Sequence, residues 1–413
     1  MAFAPRPRAR RLVAYLRSER RTLRQGFAAL ILGAITATIA GVVLASITDT
    51  LEQLPGLLIL IPATLGMKGT IFGAMGARLG TTTHAGLFQV NRERTGVLYQ
   101  NVFVAVSLTL LSSLYLAALA KLSATAFGLP SISFVDFVTI SVVGGVVDST
   151  FILVLTVGLA VLSYRRGYDL DAVSTPIITA TADMVTIPAL FLATFLTRVG
   201  WLSATIGILA IVVCSVGAIR GALTDLRLAR RVYFEMIAVV LLTPLLDILA
   251  GTILEPRLGR FVEFPALLVL IPPFVASAGS LGGILSSRLS SKLQLGVLTP
   301  RGRPEGPAAV DAGLVLGFSV VTFAFIGALG LVYAQVSGTA SPGIGVLIGG
   351  TLLAGLLCMI VAVPCAYYIA IVTTRFGLDP DNHSVPVITS VLDLAGVLSL
   401  LLVLSLLGIA AHA

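Results

Sequence analysis

The sequence predicts an all-α polytopic membrane protein with about eleven transmembrane helices, arranged as two parallel five-helix repeats joined by a linker helix. Of its 413 residues 57% are hydrophobic and only 11% are charged, and the mean hydropathy is +1.03. About a quarter of the residues of soluble domains are charged, so this composition excludes a soluble globular protein. Long apolar stretches recur along the chain, and two segments repeat each other at one constant offset.

The apolar stretches are long enough to cross a bilayer as helices, which takes roughly 20 residues each. A spanning chain must satisfy its backbone hydrogen bonds internally, and these stretches are too long for barrel strands. The predicted spans cover residues 26–48, 54–79, 97–122, 136–164, 174–198, 201–220, 233–254, 264–288, 308–335, 342–373 and 384–410.

The basic residues predict the orientation of these spans. With the N-terminus in the cytoplasm, most of the 27 Lys and Arg residues fall in cytoplasmic segments, as the positive-inside rule requires. The exceptions are Lys121, Arg198, Arg257 and Arg260 outside and Lys68 within a span. We therefore expect a multi-pass protein of the plasma or inner membrane. The net charge of +8 reflects this orientation, and no nucleic-acid partner is predicted.

The spans divide into four predicted regions. Residues 1–25 form a basic cytoplasmic segment, which is either a helix on the anionic leaflet or a disordered anchor. Residues 26–200 form the first five-helix repeat and residues 221–413 form the second. Residues 201–220 form the linker helix between them.

The repeat is carried by polar and turn residues as well as by apolar ones. PGLLILIPATLGMKGTIFGAMGARLG from Pro55 matches PALLVLIPPFVASAGSLGGILSSRLS from Pro265, and DLDAVSTPIITATAD (169–183) matches DPDNHSVPVITSVLD (379–393). All paired positions lie 210 residues apart, as Pro55 and Pro265 do. Five spans and a linker return the chain to its starting face. The two copies are therefore parallel, with a pseudo-twofold axis along the membrane normal.

Asp183 and Asp393 are the main candidate ligands for a cation. They occupy matching positions roughly 13 Å along their helices, which is near mid-bilayer, and ionisable groups at that depth are usually functional. Thr179 and Thr186 lie on the same helical stripe as Asp183, and Thr389 lies on the stripe of Asp393. The alternative is that both carboxylates bond to neighbouring helices as packing groups.

Two further sets of residues are candidates for lining the path. Glycines interrupt an apolar helix after Pro62 and again in the second copy, which indicates either an ion path or close helix packing. Asp148 and Asp247 are also intramembrane, and each either lines the pore or pairs with Lys68 or another polar group. The pore-lining candidates are Gly69, Thr70, Gly279, Ser280, Asp148 and Asp247.

The chemistry of these candidates favours a hard divalent cation. They offer oxygen ligands, and the three cysteines (Cys214, Cys358 and Cys365) show no metal-ligand spacing. Mg²⁺ dehydrates reluctantly and is typically held by one or two carboxylates with several waters retained. One Asp from each repeat fits that description, so Mg²⁺ is the predicted transported ion.

The same residues resemble the solute carrier family 41 and MgtE group of magnesium transporters. The resemblance lies in PATLGMKG with ARLGT, in ASAGSLGGILSSRLSS, and in the helices with TPIITATAD and VPVITSVLD. It implies one five-helix unit used twice, with Asp183 and Asp393 as pore metal ligands. The family usually has asparagine where this chain has Thr70 and Ser280. The cytoplasmic regulatory domains of MgtE have no counterpart in the sequence.

The predicted function is transport of Mg²⁺ or another divalent cation through a pore between the two repeats, and the chain is predicted not to be an enzyme. One chain could suffice for the pore, and Na⁺ is a candidate coupling ion. A first alternative is a proton- or sodium-coupled transporter of another solute. A second is a Mg²⁺-dependent intramembrane enzyme, which would need clustered aspartates one helical turn apart, whereas each helix here carries a single one.

Overall fold

The computed structural model describes residues 20–90, 93–166, 170–304, 306–377 and 380–409. Most of the basic segment predicted at residues 1–25 lies outside these residues. The described residues contain helices and connecting turns and no strand. Among them are eleven helical segments that are long and apolar enough to cross a membrane. The predicted all-α architecture and the number of spans are therefore confirmed.

The first repeat begins with a long helix and contains one span that is built from three helical pieces. Its elements are α1 (Arg20–Ser46), the short α2 (Thr48–Gln53), α3 (Leu57–Lys68), a π-helical turn (Gly69–Gly73), α4 (Ala74–His84), α5 (Val97–Ala126), α6 (Phe134–Arg166) and α7 (Leu170–Thr194). The pieces α3, π-turn and α4 cross together, so the glycines widen this helix without unwinding it.

The second repeat follows the linker helix and has the same order of elements. After a 3₁₀ turn (Phe195–Arg198) come the linker α8 (Gly200–Ala222), then α9 (Arg227–Leu254), a 3₁₀ turn (Glu255–Arg257), the short α10 (Leu258–Glu263), α11 (Pro265–Gln294), α12 (Gly306–Ser337), a π-helical turn (Gly345–Gly350), α13 (Thr351–Arg375) and α14 (Pro380–Leu406). The predicted boundaries of the repeats at residues 200 and 220 fall close to the ends of α8. The division into domains stays a prediction.

The two repeats are joined by a reciprocal contact: the first helix of each repeat packs against the glycine-bearing helix of the other. Helix α1 packs against α11, and the matching α9 packs against α3. At Gly41 of α1 a Cβ atom would overlap the backbone of Val269, and at Gly251 of α9 it would overlap the backbone of Ile59. Gly41 and Gly251 are equivalent positions, and so are Ile59 and Val269. A twofold relation between the repeats produces such a reciprocal pair.

The aspartate-bearing helices each pack against the first helix of their own repeat. Helix α7 packs on α6 and α1, and its counterpart α14 packs on α13, α9 and α11. The first helix of each repeat therefore contacts an aspartate-bearing helix of its own repeat and the glycine-bearing helix of the other. Residues of α9, α3 and α14 consequently meet where the two repeats join.

Matching polar contacts hold the ends of the glycine-bearing helices. Arg78 Nε donates to Asn101 Oδ1 over 3.0 Å in the first repeat. In the second repeat Arg288 Nε forms an ion pair with Asp311 Oδ1, also at 3.0 Å. Lys292 contacts the other oxygen of Asp311 at 2.5 Å. The position of the contact is kept, and a neutral amide in one repeat is replaced by a carboxylate with two cations in the other.

A buried glutamate of the second repeat stabilises the start of α3 in the first repeat. Glu255 Oε1 accepts a hydrogen bond of 2.5 Å from the backbone amide of Gly56, which has a left-handed φ of 90°. The first amides of a helix have no partner within the helix, so a carboxylate there satisfies them and suits the helix dipole. This contact adds a polar link between the repeats.

Candidate functional site

Lys68 and Asp148 form a buried ion pair at the end of α3. The ammonium lies 2.9 Å from Asp148 Oδ1, and the two side chains are 3% and 0% exposed. Lys68 Nζ also donates to Ser149 Oγ (2.8 Å) and to the Gly145 carbonyl (3.2 Å). Of the two interpretations of Asp148, the structure shows pairing with Lys68. The site therefore contains a charge pair that needs no external ion.

Thr186 lies next to this ion pair in the structure. It was predicted to share a ligand stripe with Asp183, three residues earlier on α7. In the structure its side chain is fully buried and lies beside Asp148. Helix α7 thus contributes one polar side chain to the Lys68–Asp148 pair and another, Asp183, to a different environment.

Asp393 lies against a second carboxylate, that of Asp247. The two side chains of α14 and α9 are within hydrogen-bonding reach of each other. They are 7% and 1% exposed respectively. Ser390 Oγ, one turn before Asp393, donates to Asp247 Oδ2 over 3.3 Å, and Asp247 Oδ1 is buried without a hydrogen-bond partner. Two acidic groups are thus held together with one hydroxyl donor.

Glycines border the carboxylates on the glycine-bearing helices of both repeats. A Cβ atom at Gly66 of α3 would lie 2.9 Å from Asp247 Oδ2 and 3.5 Å from Asp393 Oδ2. At Gly279 of α11 it would lie 3.6 Å from Asp393 Oδ1. Any larger residue at Gly66 would crowd the acidic pair. The absence of a side chain there lets α3 of the first repeat pack closely against both carboxylates.

The predicted threonines occupy equivalent places beside these glycines. A Cβ atom at Gly69 would lie 3.6 Å from the methyl carbon of Thr179, and one at Gly279 would lie 3.4 Å from Cβ of Thr389. Both threonines are partly buried. Thr389 Oγ1 donates to the carbonyl of Pro386 (2.8 Å). The twofold relation therefore extends to this part of the site.

Asp183 has a more open environment than Asp393. Its side chain is half-buried, and among the described residues it has no hydrogen-bond or ion-pair partner. Its charge acts on Asp393 electrostatically, although Asp247 is the carboxylate in direct contact. Asp183 and Asp393 are thus within electrostatic reach of each other in unlike surroundings.

The hydroxyl residues that follow Gly69 and Gly279 have different environments in the two repeats. Thr70 is buried in the π-helical turn, and its hydroxyl donates to the Gly66 carbonyl over 3.2 Å. Ser280 is exposed on α11, which continues as an ordinary α-helix through this point. The π-turn therefore widens the glycine-bearing helix of the first repeat only, and such turns often occur at functional sites.

Sequence reasoning missed two residues of this site. Ser390 lies three residues before Asp393, a spacing that places both on one helical face. Gly66 lies three residues before Gly69 and faces the same side of α3. Their spacing was a usable signal, but the contact of both residues with Asp247 depends on how α9 packs between α3 and α14.

Three of these intramembrane carboxylates have no cationic partner among the residues that the structure describes. Within the described part of the chain, no Lys, Arg or His forms an ion pair with Asp183, Asp247 or Asp393. No group of three or more His, Cys, Asp or Glu side chains converges as a ready metal cage among these residues. The site offers few protein ligands, which suits an ion that keeps most of its water.

Comparison with known proteins gives the family. The family MgtE, described as divalent cation transporter, matches residues 61–193 and 271–403, which is more than half of the chain. The chain belongs to this family. The two matched segments repeat the offset found in the sequence, and each ends ten residues after one of the candidate aspartates. As a member of the MgtE family, the protein is a multi-pass transporter of divalent cations and not an enzyme.

The MgtE-family chain is also similar to curated proteins named solute carrier family 41 members. It is 24% identical to member 3 of Rattus norvegicus over 365 residues, which cover 82% of this chain and 77% of the relative. It is 23% identical to member 3 of Mus musculus (84% and 74% covered) and 24% identical to member 2 of Xenopus laevis (84% and 65% covered). No solved structure matches the chain.

Proposed function

We propose that the protein carries Mg²⁺ along the interface of its two repeats, with Asp183 and Asp393 as ligands of the ion. The observation that carries this proposal is that Asp183 and Asp393 lie within the membrane region without any Lys, Arg or His partner among the described residues. Buried carboxylates are costly unless a positive charge compensates them. A transported cation supplies that charge.

Magnesium is favoured over softer divalent ions by the type of ligand. Carboxylate, hydroxyl and carbonyl oxygens suit Mg²⁺, whereas thiolates and imidazoles suit zinc and copper. The candidate positions beside Asp183 and Asp393 are occupied by Thr179, Thr389 and Ser390, which add hydroxyl oxygens. Two carboxylates and several retained waters form the coordination that Mg²⁺ commonly has in proteins.

The remaining features of the proposal concern the path and its setting. The path runs past Gly69 and Gly279 beside the paired threonines, and Thr70 and Ser280 follow those glycines. We place the protein in the plasma or inner membrane with its N-terminus in the cytoplasm, because the basic residues are distributed that way. One chain contains both halves of the path, and Na⁺ is the candidate coupling ion.

The test is Mg²⁺ flux into liposomes that contain the purified protein. We expect flux with the unchanged protein and a loss of at least about tenfold with Asp183→Asn or Asp393→Asn, since each removes one ligand charge. Asp225→Asn changes an exposed carboxylate next to the linker helix and serves as the matched control. Unchanged flux in both membrane variants would overturn the assignment of these two ligands.

The same liposomes separate a channel from an exchanger. Flux is measured with and without a Na⁺ gradient and at several membrane potentials. Dependence on a Na⁺ gradient supports coupling, whereas flux that follows the potential alone supports a channel. Transport of another solute in Mg²⁺-free medium would instead support the alternative of a secondary transporter.

A further inference from the structure

Residue 247 is a buried position at which the site departs from twofold symmetry. Asp247 of α9 is equivalent to Ala37 of α1, and the two side chains are 1% and 0% exposed. The helices that carry them make the same contact with the opposite repeat. The second repeat therefore adds a carboxylate to the interior of the protein where the first repeat adds only a methyl group.

The contacts of Asp247 direct it toward the ion site. Its Oδ2 accepts a hydrogen bond from Ser390 and lies beside Gly66, while its Oδ1 is buried without a hydrogen-bond partner. The side chain also contacts Asp393, whose two oxygens lie beside Gly66 and Gly279. An acceptor oxygen without a donor, next to a second carboxylate, is costly in the protein interior.

The ammonium of Lys68, on the same helix as Gly66, is occupied elsewhere. Lys68 is two residues from Gly66, and at 100° per residue the two positions face nearly opposite sides of α3. Lys68 is held by Asp148, Ser149 and the Gly145 carbonyl. The acidic pair beside Gly66 therefore has no cation among the described residues, and a cation that arrives from outside the protein can compensate it.

We propose that Asp247 is a third carboxylate ligand of the transported ion and binds it together with Asp393 on the side of the second repeat. This inference rests on the proposed function and extends it. The binding position is then displaced from the pseudo-twofold axis, with two carboxylates on one side and Asp183 on the other. Asp183 forms a separate, more open position from which the ion is received or to which it is passed.

A different role for Asp247 makes a different prediction. If Asp247 only donated a hydrogen bond that positions Asp393, an asparagine at residue 247 would serve as well, because its amide also donates. A ligand role requires the negative oxygen, which asparagine lacks. Asp247→Asn therefore separates the two roles with little change in volume, and Asp247→Glu tests whether a displaced carboxylate still binds an ion.

The experiment is calorimetric titration of the purified full-length protein with Mg²⁺, together with flux in liposomes. We expect Asp247→Asn to weaken Mg²⁺ binding at least about tenfold, comparable to Asp393→Asn. We expect Asp247→Glu to keep binding and to change the ratio of Mg²⁺ to Mn²⁺ affinity. Mg²⁺-dependent thermal stabilisation of each variant gives a second readout of binding in folded protein.

Gly66→Ala tests the same pair without changing a ligand. The added methyl group would lie against Asp247 Oδ2, so we expect weaker Mg²⁺ binding, whereas Gly33→Ala adds a methyl group to α1 in open space. Unchanged affinity in both Asp247→Asn and Gly66→Ala, with loss in Asp393→Asn, would overturn the role of Asp247 and leave the proposed function intact. Unchanged affinity in Asp393→Asn as well would overturn the proposed function itself.

Discussion

Gly66 and Lys68 lie two residues apart on α3 and face carboxylates in opposite electrostatic situations. Lys68 neutralises Asp148, whereas Gly66 has no side chain and borders Asp247 and Asp393. One helix thus lies between a carboxylate that is paired with Lys68 and two carboxylates that have no cationic partner among the described residues. For this reason we interpret Asp148 as part of a structural ion pair and propose the acidic pair as ligands of the transported ion.

The Lys68–Asp148 pair predicts a specific pattern of stability changes. Lys68→Met leaves a buried carboxylate uncompensated, which typically costs about 3–5 kcal/mol, while replacing both partners is often nearly neutral. We expect Lys68→Met to lower the free energy of unfolding by that amount and Lys68→Met with Asp148→Leu to restore most of it. Unfolding in detergent measures both. An unchanged stability in Lys68→Met with altered ion selectivity would place Lys68 in the ion path instead.

The carboxylate ligands predict that protons compete with the ion. A protonated carboxyl must lose its proton before it binds a metal. If Asp393 and Asp183 are the ligands, we expect Mg²⁺ binding to weaken as pH falls and to release any proton that the two carboxyls hold. Calorimetric titrations in buffers of different ionisation enthalpy measure the number of protons released. A Mg²⁺ affinity that stays constant down to a pH at which carboxylates are protonated would contradict carboxylate ligation.

Some of these residue assignments could be predicted from the sequence and others could not. Asp183 and Asp393 were predicted as candidate ligands because they are carboxylates at matching positions of two apolar helices. The contact between Asp247 and Asp393 was not predicted, because the two residues are far apart in sequence and Asp247 has no equivalent in the first repeat. Only the packing of α9 between α3 and α14 brings them together.

At the scale of helices, the reciprocal contacts of α1 with α11 and of α9 with α3 determine how the repeats meet. Gly41 and Gly251 permit these contacts because a methyl group at either position would overlap the backbone of the facing helix. Small residues are the usual means by which membrane helices approach closely. Their equivalence by repeat was visible in the sequence, but their partners were not.

These glycines predict matched effects on stability. Gly41→Ala and Gly251→Ala each force a methyl group against a backbone carbonyl, and such overpacking typically costs about 1–3 kcal/mol. We expect comparable losses in the free energy of unfolding for the two variants. Gly33→Ala, on the same helix as Gly41 but facing open space, is expected to be neutral or slightly stabilising. A clear loss in one variant and none in the other would contradict the equivalence of the two interfaces.

At the scale of the whole molecule, the number of spans predicts the positions of the termini. Eleven spans are confirmed within the described residues. Because eleven is odd, we expect the N- and C-termini on opposite faces of the membrane, with the N-terminus in the cytoplasm as the basic residues predict. A reporter fused after Ala413 should therefore be active only outside the cytoplasm. A cytoplasmic signal from that reporter would require one span fewer or one span more.

The presence of both repeats in one chain predicts that the ion path lies within a single chain. Asp183 and Asp393 come from different repeats of the same chain, and Asp247 and Gly66 bring the repeats together at the acidic pair. If the path lies inside one chain, Asp183→Asn and Asp393→Asn each inactivate the chain that carries them. Co-expression of the two variants then gives no more transport than either variant alone, and the double variant has the same residual flux.

A path shared between chains would instead form one intact site from the two variants, with one unchanged ligand from each. Recovery of Mg²⁺ flux in liposomes that contain a purified mixed complex would therefore contradict a single-chain path, whereas its absence, with Asp225→Asn active in the same assay, supports it.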